Sequence, residues 1–116
     1  MAKLELVEFV NAIRDACDRS SLVTGYDVRI QDNATVKIRI FLSAPAFIDT
    51  YFNPANGNCT FALIQEGQRI YGADNAFVGW HVHPFDDPEH HLPSNEVTFA
   101  EFLRTIEKWA ARQQEE

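Results

Sequence analysis

The sequence predicts an α+β fold with a helix at each end and an antiparallel meander of five or six strands between them, both helices lying on one face of the sheet. Three observations lead there. Apolar residues recur at three-and-four spacing near both termini, the middle of the chain alternates apolar and polar residues in short runs, and the connections between those runs are brief and rich in turn formers. Short connections suit neighbouring antiparallel strands, whereas parallel pairs need long crossovers.

The elements follow in order. Over residues 3 to 18, Leu6, Val10, Ile13 and Cys17, with Phe9 and Ala16 beside them, make one apolar helical stripe. Six strand-like runs come next: Tyr26 to Gln31, Val36 to Leu42, Phe47 to Phe52, Cys59 to Gln65, Gln68 to Gly72 and Val78 to His83. The closing helix spans 97 to 112 on Phe99, Leu103, Ile106 and Ala110, with Trp109 flanking. Thr98 with Glu101, or Ser94, is placed to cap it.

Register follows from the rule that paired residues share a face. A loop of Asp32, Asn33 and Ala34 sets Ile38 opposite Val28, and a turn of Ser43, Ala44 and Pro45 sets Ile48 opposite Ile40. Continuing the same logic sets Phe52 opposite Phe61, Leu63 opposite Ile70 across the two-residue turn Glu66-Gly67, and Ile70 opposite Trp80. The buried face then holds Val28, Ile30, Val36, Ile38, Ile40, Ile48, Phe52, Phe61, Leu63, Ile70, Trp80 and Val82. The other face carries Arg29, Lys37, Arg39, Asp49, Tyr51, Arg69, Tyr71, His81 and His83, with Asp27, Arg39, Asp49, Ile64, Arg69 and His81 in one row.

Bulk properties narrow the function classes. The 116 residues fit a single domain, 1–116, and no apolar run approaches the roughly 20 residues of a membrane helix. Acidic residues Glu5, Glu8 and Asp15 are unlike a secretory signal, so the expectation is a cytoplasmic protein. Cys17 and Cys59 stand apart without a metal or disulfide spacing and read as buried thiols. A formal charge of −7 opposes indiscriminate nucleic-acid binding, although cations collect on the polar sheet face.

All four histidines fall within GWHVHPFDDPEHH, residues 79 to 91. His81 and His83 alternate with Trp80 and Val82 and so project from one strand face. One reading is metal-free acid–base chemistry by His81, His83, Tyr71 and Arg69, the last set opposite His81 by the assumed register. Cleaving a phosphodiester through a 2′-hydroxyl needs a proton acceptor, a proton donor and a cation for developing charge, and these residues supply them. Substrate contacts then fall to Arg39, Lys37, Arg29, Tyr51 and Asp74. The alternative is a divalent metal such as zinc on His81 and His83 with His90 and His91, Glu96 or Asp74 completing the set. The bland reading makes His81 and His83 exposed strand residues and gives Asp74-Asn75 a turn-shaping role.

Two resemblances bear on these alternatives. His-Val-His-Pro followed by Ser94 resembles the signature of JAMM metalloproteases, but Val97 stands where that signature has its aspartate ligand, which disfavours the match. The stretch TFALIQEGQRIYGADNAFVGWHVHPFDDPEHH resembles TumE-type toxins of prokaryotic toxin–antitoxin modules over residues 60 to about 108, with Arg69, Asp74, Asn75, His81 and His83 as matched positions. That resemblance implies a growth-inhibiting protein acting on RNA or nucleotides and neutralised by an antitoxin encoded beside it. The polar sheet face is expected to take RNA, an antitoxin segment or a second copy in a homodimer. An unpaired edge strand offers a partner a place to add.

Overall fold

The computed structural model describes residues 2–76 and 79–114. Helix α1 (Ala2–Asp18) is followed by β1 (Val23–Gln31), β2 (Thr35–Leu42), β3 (Phe47–Asn53), β4 (Asn58–Gln65), β5 (Gln68–Asp74), β6 (His81–His83) and β7 (Leu92–Pro93), and α2 (Phe99–Gln114) closes the chain. The seven strands pair antiparallel in chain order, giving the expected α+β meander with one more strand than the alternation predicts. β7 escapes notice in the sequence because it is two residues long and ends on proline. Val78, expected to open the sixth strand, lies outside the described residues.

Both helices cover one face of the sheet. α1 buries Leu6, Val10, Ile13 and Cys17, and α2 buries Phe99, Phe102, Leu103, Ile106, Trp109 and Ala110. β2 shows the strict alternation that a one-sided sheet requires: Val36, Ile38, Ile40 and Leu42 are buried and Lys37, Arg39 and Phe41 exposed. Phe61 anchors the aromatic core, its ring 5.5 Å from those of Phe99 and Phe102 and 6.2 Å from Trp80. Thr50 is polar yet buried because its hydroxyl donates to the Ile38 carbonyl at 3.2 Å. Ile30, expected inside, is 53% exposed, because it sits at the end of an edge strand.

The first two hairpins have the predicted register, with Val28 opposite Ile38 and Ile40 opposite Ile48. Asp32 and Asn33 take the positive φ that their loop demands, as do Glu66 and Gly67 in the two-residue turn. Three later pairings differ. Asn53 and Asn58 themselves pair, which tightens the NPANGN loop and sets Phe52 opposite Cys59 and Thr50 opposite Phe61. A bulge at Ile70 makes Leu63 face Tyr71, so β5 inverts its faces from Tyr71 onward. The last hairpin slides, pairing Asp74 with His81, where the alternation puts Arg69, and Gly72 with His83, so that Tyr71 does not share the histidines' face. The expected row across six strands is therefore broken after Asp49, whose neighbour is Ala62.

Thr98 and Glu101 form the capping box of α2. The Thr98 backbone N–H donates to Glu101 Oε1 at 3.0 Å, and the Glu101 N–H donates to Thr98 Oγ1 at 3.2 Å. The Thr98 backbone N–H and then its hydroxyl hold the Glu101 carboxyl below the ordinary carboxylate range. Because the folded value lies below the unfolded one, this contribution is complete above the ordinary carboxylate range and is lost as pH falls through the depressed one. Thr98→Ala is expected to cost about 1 kcal/mol in urea unfolding at neutral pH, with a narrower gap to wild type in acid. Cys17 and Cys59 are buried free thiols, pushed up to about 11 and about 12, chiefly by burial. Neither is expected to react with an alkylating agent in the native protein, and mass spectrometry should find both modified after unfolding.

Candidate metal centre on the open sheet face

The site is built from β5, β6 and the segment that returns to β7. His81 and His83 project from the face opposite the helices, as their alternation requires, but they are not exposed. Their relative exposures are 4% and 2%, because the chain from Pro84 to His91 folds over this end of the face. The open side of the sheet is thus covered over β5 and β6, contrary to the expectation of a bare surface.

Asp74 lies between the two imidazoles. Its Oδ1 is 3.0 Å from His81 Nε2 and its Oδ2 is 3.0 Å from His83 Nε2. Both Nδ1 atoms are already engaged, at 3.0 Å from the carbonyl oxygens of Gly79 and Pro88 respectively. A carbonyl only accepts, so each Nδ1 carries a proton and donates it. Two lone pairs cannot face each other at 3.0 Å, so a proton or a cation must stand between each Nε2 and its carboxylate oxygen. The fixing of Nδ1 on carbonyl oxygens is the arrangement that orients metal-binding imidazoles.

His91 completes the cluster. Its ring stacks on His81 at 4.8 Å and lies edge-on to His83 at 4.7 Å, and the three histidines each present a ring nitrogen within 4.8 Å of the others. His91 is exposed, so the cluster opens to solvent on its side. His90, named with it as an alternative ligand, stands outside the cluster; its backbone N–H bonds the Asp87 carbonyl at 3.0 Å. Val97 packs against the apolar core, and the carboxylate of this site comes from Asp74 on the neighbouring strand.

The other expected site residues divide. Arg69 is opposite Ile64, not His81, yet it keeps the open face and crosses Gly72, where an added Cβ would stand 3.0 Å from its Cδ. Its Nη2 donates to the Pro88 carbonyl at 3.0 Å, the same oxygen that accepts from His83 Nδ1. Tyr71 leaves the site: the bulge turns it to the helix side, where it stacks on Phe85 at 4.5 Å and burial raises its hydroxyl pKa. Arg29, Lys37, Arg39 and Tyr51 line a separate open cleft of about 470 Å³ over β1 to β4. There Arg39 pairs with Asp49 at 2.9 Å and Arg29 with Asp27 at 2.9 Å. Asn75 has a role that turn chemistry alone did not reveal: its side chain accepts from Cys59 N–H and donates to the Gly57 carbonyl, both at 2.8 Å, tying the β3–β4 turn to the end of β5.

No known protein family, curated protein or solved structure matches this chain.

The contrast between the buried Asp74 cluster and an exposed ion pair is measurable. Asp74→Ala leaves two buried imidazoles without their carboxylate partner and should cost roughly 1–3 kcal/mol in urea unfolding. Asp49→Ala, breaking the half-exposed pair with Arg39, should cost about 1 kcal/mol or less.

Proposed function

We propose that this chain is a divalent-metal protein whose centre, held by His81, His83 and His91 with the Asp74 carboxylate, serves hydrolysis of RNA or nucleotides in a toxin–antitoxin module. One observation carries the metal reading: two buried imidazoles with their Nδ1 atoms committed to carbonyls turn both Nε2 atoms onto a single carboxylate, with a third imidazole alongside. The donor set of nitrogens and one carboxylate oxygen suits zinc and its first-row neighbours. An ion bonded at about 2.0–2.1 Å would draw together ring nitrogens that here lie within 4.8 Å of one another.

A bound ion there supplies Lewis acidity at neutral pH. The chain's own part is orientation. Gly79 and Pro88 fix the two rings, Gly72 leaves room for the Arg69 stem, and Arg69 pins the covering segment at Pro88. The toxin reading draws support from the convergence of four of the positions matched to TumE-type proteins, Arg69, Asp74, His81 and His83, on this one spot. The neutralising partner is then a protein encoded alongside. A metal-free alternative keeps the same residues and uses His81 and His83 as proton carriers beside the Arg69 guanidinium.

Metal content after purification without chelator, and calorimetric titration of the stripped protein with zinc, nickel and manganese, test the first reading. About one equivalent should bind, His83→Ala should weaken it about a hundredfold or more, and His90→Ala should leave it unchanged. A stripped chain that takes up none of the three ions sinks the metal centre. Growth arrest on expression, lost in His83→Ala and insensitive to metal depletion, would select the metal-free alternative.

A further inference from the structure

β1 is the long edge of this sheet, bulged only near its start between Val23 and Gly25 and regular from Tyr26 to Gln31. It runs nine residues from Val23 to Gln31 and pairs with β2 on one side, and among the described residues no strand lies on the other. The opposite edge, β7, is two residues long and ends on Pro93, two devices that discourage pairing. β1 has no proline. Its charges do not guard it either, since Asp27 and Arg29 are opposite in sign and bonded to each other at 2.9 Å. On its helix-bearing face Ile30 is 53% exposed, Val28 is half-buried, and the Tyr26 ring lies 5.9 Å beneath the Arg14 guanidinium.

We propose that β1 pairs antiparallel with β1 of a second copy of this chain, about a two-fold axis at Val28, joining two meanders into one sheet. Paired residues must share a face, so a symmetric antiparallel pair can centre only on a residue. Centring on Asp27 or on Arg29 opposes like charges directly. Centring on Val28 sets Asp27 against the partner's Arg29 and Arg29 against the partner's Asp27, turning two intrachain pairs into a four-charge cluster on the open face. On the other face it sets Tyr26 against the partner's Ile30 and Val28 against the partner's Val28. The run Tyr-Asp-Val-Arg-Ile reads as its own complement in both charge and polarity, and that property selects a second copy over a foreign strand as the occupant.

Sedimentation velocity over a dilution series tests this with wild type, Asp27→Arg, Arg29→Asp, the double exchange, and an equimolar mixture of the two single variants. Side chains 49% and 81% exposed can be changed without disturbing the core, which circular dichroism verifies. The wild type should dimerise reversibly. Each single change makes both cross-strand pairs repulsive and should raise the dissociation constant about tenfold or more. The double exchange should restore self-association, and the mixture should form heterodimers, because an all-cationic edge then meets an all-anionic one. A wild type monomeric at every concentration overturns the proposal, including one that gives its edge to another protein. So does a dimer indifferent to the single changes, or a mixture that fails to associate.

Discussion

A single extra residue in β5 governs the chemistry of this protein. Strand side chains alternate, so the bulge at Ile70 inverts every position beyond it. Arg69 stays on the open face, Tyr71 and Ala73 go to the core, and Gly72 and Asp74 come to the open side. Without that residue Asp74 would point at the helices and the two strand histidines would have no carboxylate between them. Tyr71 gains in exchange a place against Phe85 and Phe102, where its ring is worth more buried than in water.

The inversion also explains why so polar a cluster tolerates burial. Each Nε2 has an Asp74 oxygen at 3.0 Å, each Nδ1 has a backbone carbonyl at 3.0 Å, and among the described residues no buried side-chain nitrogen or oxygen lacks a partner. The covering segment is held by the groups it covers, since the Pro88 carbonyl accepts from both His83 and Arg69. The two halves of the open face are therefore physically different. Over β5 and β6 it is a desolvated polar site, while over β1 to β4 it is a solvated surface whose Arg–Asp pairs are screened.

A meander that grows strand by strand in chain order leaves its first and last strands as edges, and the two are treated differently. The β7 edge is short and lies beside the histidines. The β1 edge is long and apolar on one face. Among the described residues no helix is long and apolar enough to cross a membrane.

The amino-acid pattern alone determined the two helices and their buried stripes, the antiparallel order of the strands, the register of the first two hairpins and the shared face of His81 and His83. Each of these rests on local periodicity or on a turn whose residues dictate its geometry, such as Asp32-Asn33 and Glu66-Gly67. Tertiary structure decided the rest. A bulge leaves no mark in apolar alternation, because Ile70-Tyr71 suits either face, and the last hairpin's register depends on what Ala73 and Val82 must bury rather than on its loop. The meeting of Asp74, His81, His83 and His91 joins positions set by that slide and by a ten-residue return of chain from Pro84 to Pro93, a closure that comes from packing and backbone hydrogen bonds no single segment encodes.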